Sequence, residues 1–315
     1  MIETKKWRPI IVKQQTFWYH TDDNMDIFIK KWEPSSPAKA VMQISHGMME
    51  HIERYHDFAT YLTSRGFIVY GNDHRGHGKT GEKQGKLGYL ADNDGFFKAV
   101  RDLRQISELI QSTHPSLPLF LFGHSMGSFF VRSYIQTYSD TISGAILSGT
   151  GHFPAVQLAA GQLAASLLPP KEKSVLMNKL VFGSFNKKVD HSPTGFEWLS
   201  RSKTAVAAYI KDPYTGFIPT GRFFYDLFTG LQSIHNKNKN QQIRHDLPLL
   251  FISGDHDPVG NYAKGVWKTA TCYKNDGLTN ITAMLFASGR HELLHELNKQ
   301  EVYEAITHWT HGALN

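Results

Sequence analysis

A short apolar run leads directly into a serine flanked by glycines, and this stretch constrains the fold more than any other. Leu119–Phe122 predicts a strand buried on both faces, because it is apolar at every position. Gly123-His124-Ser125-Met126-Gly127 follows, and a helical pattern comes after it. Glycines suit a place where strand and helix approach closely, since side chains there would collide. The pattern predicts a sharp strand-to-helix turn that holds the Ser125 hydroxyl clear of the sheet.

Ser125 and two backbone amides are candidates for one reaction centre. Met126 would be the first residue of the helix, where amide N–H groups lack helical partners and favour negative charge. An earlier apolar run, Ala40–Ile44, predicts a strand that leads into a His-Gly turn. Gly47 lets the chain turn there, and the Met48 amide would join that of Met126 in binding an oxyanion.

Strand and helix patterns alternate over most of the chain, which predicts an α/β fold with a mostly parallel, doubly wound sheet. After an N-terminal antiparallel hairpin, strands are predicted at Ala40–Ile44, Phe67–Tyr70, Leu119–Phe122, Gly144–Ser148, Leu247–Ile252 and Ile281–Phe286. The alternation breaks at residues 152–244, where helical segments recur without a convincing strand. We therefore predict a core formed by residues 1–151 and 245–315, with residues 152–244 inserted as a helical cap.

An aspartate and a histidine follow in the chain order that a serine nucleophile on such a fold needs. Asp257 and His291 each come after a predicted strand, at the sheet edge where open α/β folds bind ligands. His291 would take the Ser125 proton, and Asp257 would orient the imidazole. Asp255 is the competing aspartate, but it directly follows Gly254 and is expected to belong still to the strand end, whereas Asp257 lies in the loop before Pro258.

The composition of the chain indicates which binding partners and which cellular compartment to expect. The 315-residue chain has a net charge of +6, but its basic residues are scattered, so nucleic-acid binding is not expected. One cysteine, Cys272, excludes an intramolecular disulfide and fits a reducing compartment. Residues 1–7 show no apolar segment of a signal peptide, and no apolar run is long enough to span a membrane. These features predict a cytoplasmic protein whose cap could contact an anionic membrane surface transiently.

Several motifs, in order, resemble the monoacylglycerol lipase and bacterial lysophospholipase branch of the α/β-hydrolases. They are His46-Gly47-x-x-Glu50-His51-x-x-Arg54-Tyr55, Asp73-x-Arg75-Gly76-x-Gly78, Gly123-His124-Ser125-Met126-Gly127, Gly254-x-x-Asp257, Gly289-Arg290-His291-Glu292 and, in the cap, Asp212-Pro213-Tyr214-Thr215-Gly216-Phe217. The resemblance implies an α/β-hydrolase fold and a serine hydrolase, without cofactor or metal, that cleaves carboxylic esters of one fatty acyl chain. The resemblance implies that Ser125, Asp257 and His291 form the catalytic triad. It also implies that the backbone amides of Met48 and Met126 are the donors of the oxyanion hole.

The chain departs from this family at two places. Met48-Met49 follows the His-Gly pair where the family usually has small residues, and Thr80 stands where serine is common. The oxyanion donor is unaffected, because it is a backbone amide. The two methionines instead bear on the width and depth of the acyl pocket.

The cap is expected to supply apolar walls to a pocket for a small acyl ester or lipid. We expect hydrolysis of monoacylglycerols, lysophospholipids or simple esters. Most of an apolar stripe in the cap is expected to pack internally: Val156, Leu158, Leu163, Leu167 and Leu168. In the loop after Phe67–Tyr70, His74 and His77 are expected to be hydrogen-bonded rather than metal-bound.

Other classes of protein remain open at this point. His291-Glu292-Leu293-Leu294-His295 matches the H-E-x-x-H pattern of zinc hydrolases, although the extended form of that motif is missing. A related α/β-hydrolase aminopeptidase would use the same triad, and the cap would decide between peptide and ester. A non-enzymatic binding module on the same fold is a further alternative.

Overall fold

The structure is a computed structural model that describes residues 12–314, so residues 1–7 lie outside the described range. Within that range, one eight-stranded sheet has the order β1-β2-β4-β3-β5-β6-β7-β8. Its strands are β1 Lys13–His20, β2 Asp26–Glu33, β3 Ala40–Ser45, β4 Phe67–Asn72, β5 Leu119–His124, β6 Gly144–Ser148, β7 Leu249–Gly254 and β8 Ile281–Phe286. The first two strands are antiparallel to their neighbours and the other pairs are parallel, so the predicted mostly parallel sheet is confirmed.

Helices cover both faces of the sheet. They are α1 His56–Ser64, α2 Gly78–Lys83, α3 Gly95–Thr113, α4 Met126–Tyr138, α5 Ala155–Ser166, α6 Val175–Phe182, α7 Lys203–Lys211, α8 Gly221–Ile234, α9 Lys237–Asn240, α10 Lys264–Asn275 and α11 Lys299–Gly312. Short 3₁₀ turns occupy Ile52–Tyr55, Ser139–Thr141 and Leu293–His295. The first of these 3₁₀ turns continues directly as α1.

The central strand β5 shows how the two hydrophobic cores form. Its successive side chains point to opposite faces of the sheet. Leu119 and Leu121 join the core under α3, α4 and α10, whereas Phe120 and Phe122 join the core under α1 and α11. All four are buried, as the uninterrupted apolar run predicted.

Between β6 and β7 the described chain is helical, with one isolated bridge between Lys173 and Thr220. Helix α8 anchors this segment, because Phe223, Phe224 and Leu231 are buried in the core that also holds α3 and α4. Helix α5 packs against α8, and Phe228 would lie within 2.6 Å of a Cβ added at Gly161.

The expectation that the apolar stripe of this segment packs internally is wrong for most of it. Leu158 is 2% exposed and Leu168 is half-buried. Val156, Leu163 and Leu167 are instead 82%, 64% and 78% exposed. Helix α5 is apolar on nearly every side, so its contact with α8 covers only part of its apolar surface.

The carboxyl ends of the parallel strands bring distant loops to one edge of the sheet. β3 ends before the His-Gly turn at residues 46–47, and β5 ends before Ser125. β7 ends before the loop of Asp257, and β8 ends before the loop of His291. The fold therefore gathers the loops that carry the candidate residues.

Candidate active site

Ser125 is the single residue between β5 and α4, and its backbone is strained. Its φ is 51° and its ψ is −119°, a region that residues with side chains rarely adopt. The glycines on both sides are required sterically. A Cβ at Gly123 would lie 2.5 Å from the Gly127 carbonyl oxygen, and one at Gly127 would lie 2.0 Å from the Ser45 carbonyl oxygen.

Asp257 and His291 form a buried pair. The Nδ1 atom of His291 lies 3.0 Å from each Asp257 carboxylate oxygen, and the residues are 2% and 0% exposed. Burial alone would lower the pKa of His291, but the Asp257 carboxylate outweighs it and the pKa is raised above its usual value. Asp255 lies apart from this pair, since its exposed side chain contacts His256.

Ser125 and His291 line the same cavity, which has a volume of about 380 Å³. Its walls are mostly apolar and come largely from the segment between β6 and β7. They include Phe153, Leu158, Met177, Val181, Trp198, Phe228 and Leu231. The Trp198 ring lies beside the His291 imidazole, with 5.0 Å between ring centroids.

The two candidate oxyanion donors belong to residues that line this cavity. Met48 and Met126 both line it, and Met126 is the first residue of α4, where amides lack intrahelical partners. The His-Gly turn needs its glycine, because a Cβ at Gly47 would lie 2.6 Å from a Glu50 carboxylate oxygen and 3.3 Å from the Ser125 Cβ. The departure at Met48-Met49 leaves this backbone arrangement intact.

A buried ionic network, which the sequence analysis did not predict, connects this turn to the histidine loop. Glu50 accepts hydrogen bonds from the Gly47 amide at 2.6 Å, the Tyr55 hydroxyl at 2.8 Å and the Arg54 guanidinium at 2.6 Å. Arg54 also donates to both carboxylate oxygens of Glu292, at 2.6 and 2.7 Å. The only sequence signal was the motif spacing, which places Glu50 and Arg54 four residues apart.

Arg54 sets the ionisation of these carboxylates. Burial alone would raise the pKa of Glu50, but the Arg54 charge, the neighbouring His124 and the Tyr55 hydrogen bond together outweigh it and lower this pKa to about 2. The same guanidinium lowers the pKa of Glu292 against its burial. Both groups are therefore anions at neutral pH.

The motif segment Asp212–Phe217 contacts the same turn from the helical side. The Nε2 atom of His51 lies 2.8 Å from the Asp212 carboxylate. The Met49 carbonyl accepts hydrogen bonds from the Gly216 amide and the Tyr209 hydroxyl, both at 3.1 Å. Met49 has a positive φ of 58°, so these contacts hold a strained residue next to Met48.

His74 and His77 are hydrogen-bonded, as expected. The Nε2 atom of His74 lies 3.1 Å from the Ser45 hydroxyl, and the Nδ1 atom of His77 lies 2.8 Å from the Arg75 carbonyl oxygen. Thr80 supplies the hydroxyl that a serine would bring, since it accepts the Phe28 amide at 2.9 Å.

The residues of the H-E-x-x-H pattern do not fit a zinc site. Leu293–His295 is a 3₁₀ turn, so His291 and His295 do not share an α-helical face. The Glu292 carboxylate is bound by Arg54, and the His291 Nδ1 atom faces Asp257. Residues 12–314 contain no group of three or more His, Cys, Asp or Glu side chains arranged to hold a metal ion.

The sheet, the strained serine turn and the order of the loops define an α/β-hydrolase. The chain belongs to the Hydrolase_4 family, described as "Serine aminopeptidase, S33", which matches residues 36–298. The chain is also similar to proteins that are named as lipases and esterases.

A monoglyceride lipase homolog of Monkeypox virus is 42% identical over 296 residues, covering 91% of this chain and 95% of that protein. A monoacylglycerol lipase of Mycolicibacterium smegmatis is 29% identical and covers 88% and 90%. The crystal structure of a thermostable carboxyl esterase from Bacillus coagulans, in complex with glycerol, has a TM-score of 0.90 at 26% identity and covers 96% and 99%. The expectation of a serine ester hydrolase in the monoacylglycerol lipase branch is confirmed.

Proposed function

We propose that this enzyme hydrolyses monoacylglycerols and related single-chain acyl esters through an acyl-enzyme on Ser125. One observation carries the proposal. The strained Ser125 and His291, whose imidazole is paired with the buried Asp257, line one mostly apolar cavity. The segment between β6 and β7 supplies most of the apolar wall, which supports its assignment as a cap over residues 152–244.

Each residue then has one role. The Ser125 hydroxyl attacks the ester carbonyl while the Nε2 atom of His291 takes its proton, and Asp257 stabilises the imidazolium. The amides of Met48 and Met126 donate to the oxyanion of the tetrahedral intermediate. His291 returns the proton to the departing alkoxide, and a water molecule activated by His291 then hydrolyses the acyl-enzyme.

The cavity favours an acyl chain over a peptide. Its volume of about 380 Å³ lies in the range of small-molecule pockets, and its apolar wall suits a hydrocarbon chain. Each buried methylene contributes about 0.8 kcal/mol, so kcat/KM should climb with chain length until the pocket is full. The lining carboxylates, Glu50 and Glu292, are both bound by Arg54, which leaves neither free to receive the amino group of a peptide.

A substrate series tests this choice directly. We expect kcat/KM to rise from p-nitrophenyl acetate to medium-chain p-nitrophenyl esters, with monoacylglycerols hydrolysed and leucine and proline anilides turned over slowly. Faster turnover of the anilides would favour the aminopeptidase reaction. A flat trend with chain length would contradict the acyl-chain assignment of the cavity.

We further propose that the enzyme works in the cytoplasm, with α5 and α6 in contact with a lipid surface. The single cysteine supports a reducing compartment. Exposed apolar side chains concentrate on these two helices and on the residue directly after α5: Val156, Leu163, Leu167, Val175, Leu176 and Leu180. Leu180 also lines the cavity, so a lipid bound at this face would lie at the cavity rim. No helix of residues 12–314 is long and apolar enough to cross a membrane.

Vesicle sedimentation tests the lipid contact. Lys171, Lys173 and Lys179 are exposed beside these helices, so binding should be stronger to vesicles containing phosphatidylglycerol than to phosphatidylcholine alone. Leu167→Ser should weaken binding by about tenfold, whereas Trp267→Ser, at an exposed apolar residue of α10, should not. Equal effects of the two substitutions would contradict this surface.

A further inference from the structure

A second cavity of about 300 Å³ lies beside the C-terminal half of α4, and Ser125 does not line it. Arg132 comes seven residues after Ser125 on this helix, about 10 Å along its axis. The walls come from α4, the start and end of the helical segment, and α10. The lining residues include Arg132, His152, His235, Lys237, Cys272 and Asp276.

Arg132 is buried there without an anionic partner. It is 1% exposed, and every group that its guanidinium contacts within residues 12–314 is neutral. These contacts are the Tyr273 hydroxyl at 3.1 Å, the Thr150 hydroxyl at 3.4 Å, the Gly151 and Ile234 carbonyl oxygens at 2.8 and 3.5 Å, and the His235 Nδ1 atom at 3.4 Å. Buried charges are normally paired, because desolvation costs several kcal/mol per ion. The lining carboxylate, Asp276, instead accepts a hydrogen bond from Asn240 at 3.0 Å.

The surroundings of Arg132 also hold more donors than acceptors. Both ring nitrogens of His235 face donors, the Arg132 guanidinium at 3.4 Å and the Phe153 amide at 3.3 Å. A neutral imidazole has only one acceptor nitrogen. The buried Nδ1 atom of His152 has no hydrogen-bond partner in the described part of the chain. Lys237 adds an ammonium group to the same wall.

The pKa values of His152 and His235 are both lowered in these surroundings. Burial and the charges of Lys268 and Arg132 lower the pKa of His152 to about 4. Burial, Arg132, His152 and Lys268 lower the pKa of His235 to about 2. Burial is the largest cause of both shifts and the neighbouring positive charges add to it, so both imidazoles stay neutral at physiological pH.

We propose that this cavity binds a phosphate-type oxyanion, either inorganic phosphate or the phosphate group of a small monoester, through Arg132, Lys237 and His152. The charge of a phosphate would pair with Arg132 and Lys237, and its oxygens would accept hydrogen bonds from the Lys237 ammonium and from an N–H at the His152 Nδ1 atom. The cavity volume equals that of about ten water molecules, which leaves room for a small alcohol beside the phosphate. The site is independent of the proposed ester hydrolysis, because neither Ser125 nor His291 lines it.

Cys272 gives a local readout of occupancy. It is the single cysteine of the chain, it is half-buried, and it lines this cavity. The rate of its alkylation by the neutral reagent iodoacetamide is measured in sodium phosphate, sodium glycerol 3-phosphate and sodium chloride at equal ionic strength. Ser125→Ala protein is used, so that the site is tested without ester hydrolysis.

We expect phosphate or glycerol 3-phosphate to slow alkylation severalfold relative to chloride, with saturation. Protection by both ions would indicate a site for phosphate itself, and protection by glycerol 3-phosphate alone a site for a monoester. Lys237→Ala should weaken the ion's apparent affinity by about tenfold, because a charge-assisted contact is lost. Lys239→Ala is the matched control, since Lys239 contacts Ser233 and does not line the cavity.

The proposal fails if neither ion slows alkylation beyond chloride. It also fails if Lys237→Ala and Lys239→Ala weaken protection equally, since general screening of a basic surface would then explain the result. Circular dichroism of each variant confirms that the comparison is made on folded protein.

Discussion

Replacing the buried Glu50 carboxylate by an amide should destabilise the protein in a pH-dependent way. Glu50 is 2% exposed and accepts hydrogen bonds from Gly47, Arg54 and Tyr55. Its pKa is lowered from 4.5 to about 2 in the folded state. One unit of pKa corresponds to about 1.4 kcal/mol, so the ionised carboxylate contributes about 3 kcal/mol to the free energy of unfolding at pH 7.

The sign of the pH dependence follows from the direction of the shift. A folded-state pKa below the unfolded value means that the contribution is fully present above pH 4.5 and is lost as the pH falls towards 2. Glu50→Gln removes the titrating group and keeps one acceptor oxygen. The stability difference between wild type and Glu50→Gln should therefore be about 3 kcal/mol at pH 7 and about half of that near pH 3.

Urea unfolding of both proteins at several pH values measures this difference, and the titrating groups that do not interact with Glu50 cancel in the comparison. Glu108→Gln is the matched control, because the Glu108 side chain is 53% exposed where it meets Arg104. Such surface pairs contribute at most about 1 kcal/mol, so Glu108→Gln should have a small effect. A Glu50→Gln penalty that is the same at pH 3 and pH 7 would refute the reasoning.

Three further predictions concern the histidine pair and the strained loop behind it. Asp257→Asn should lower kcat by about 10⁴ on a p-nitrophenyl ester, whereas Asp255→Asn should leave it nearly unchanged, and the reverse order would transfer the role to Asp255. The pKa of His291 is raised, and catalysis needs the neutral imidazole, so kcat/KM should fall on acidification with a midpoint above pH 6.5. A midpoint at or below 6.5 would contradict the pairing with Asp257. Ala263 has a φ of 72°, so Ala263→Gly should raise the free energy of unfolding by about 1 kcal/mol, whereas Ala270→Gly inside α10 should lower it by about 1 kcal/mol. Thermal unfolding of the two variants checks this, and equal destabilisation would argue against strain at residue 263.

The sequence predicted the sheet because its strands are buried on both faces. A run that is apolar at every position, such as Leu119–Phe122, can bury all of its side chains only when helices cover both faces of the sheet. The structure places this strand between two helical layers. The serine turn was predictable because side chains at the two flanking glycines would collide where the strand and the helix approach closely. The pairing of Asp257 with His291 followed from chain order and the shared edge of a parallel sheet.

Contacts between distant segments could not be predicted in the same way. The salt bridge of Arg54 with Glu292 joins residues 238 positions apart, and no local pattern marks it. The exposure of Val156 and Leu167 depends on how little of α5 is covered by α8. The cavity beside Arg132 likewise forms only when α4, α8 and α10 pack together. Its excess of hydrogen-bond donors therefore has no local signal in the sequence.

Identifying the residue that carries the acyl-enzyme tests the central claim most directly. The protein is treated with a fluorophosphonate, and the adduct is located by intact mass and peptide mapping. We predict one adduct per chain, on Ser125, with labelling and ester hydrolysis lost together in Ser125→Ala. An adduct on another residue, or a Ser125→Ala protein that is labelled at the wild-type rate, would contradict the assignment of Ser125 as the nucleophile.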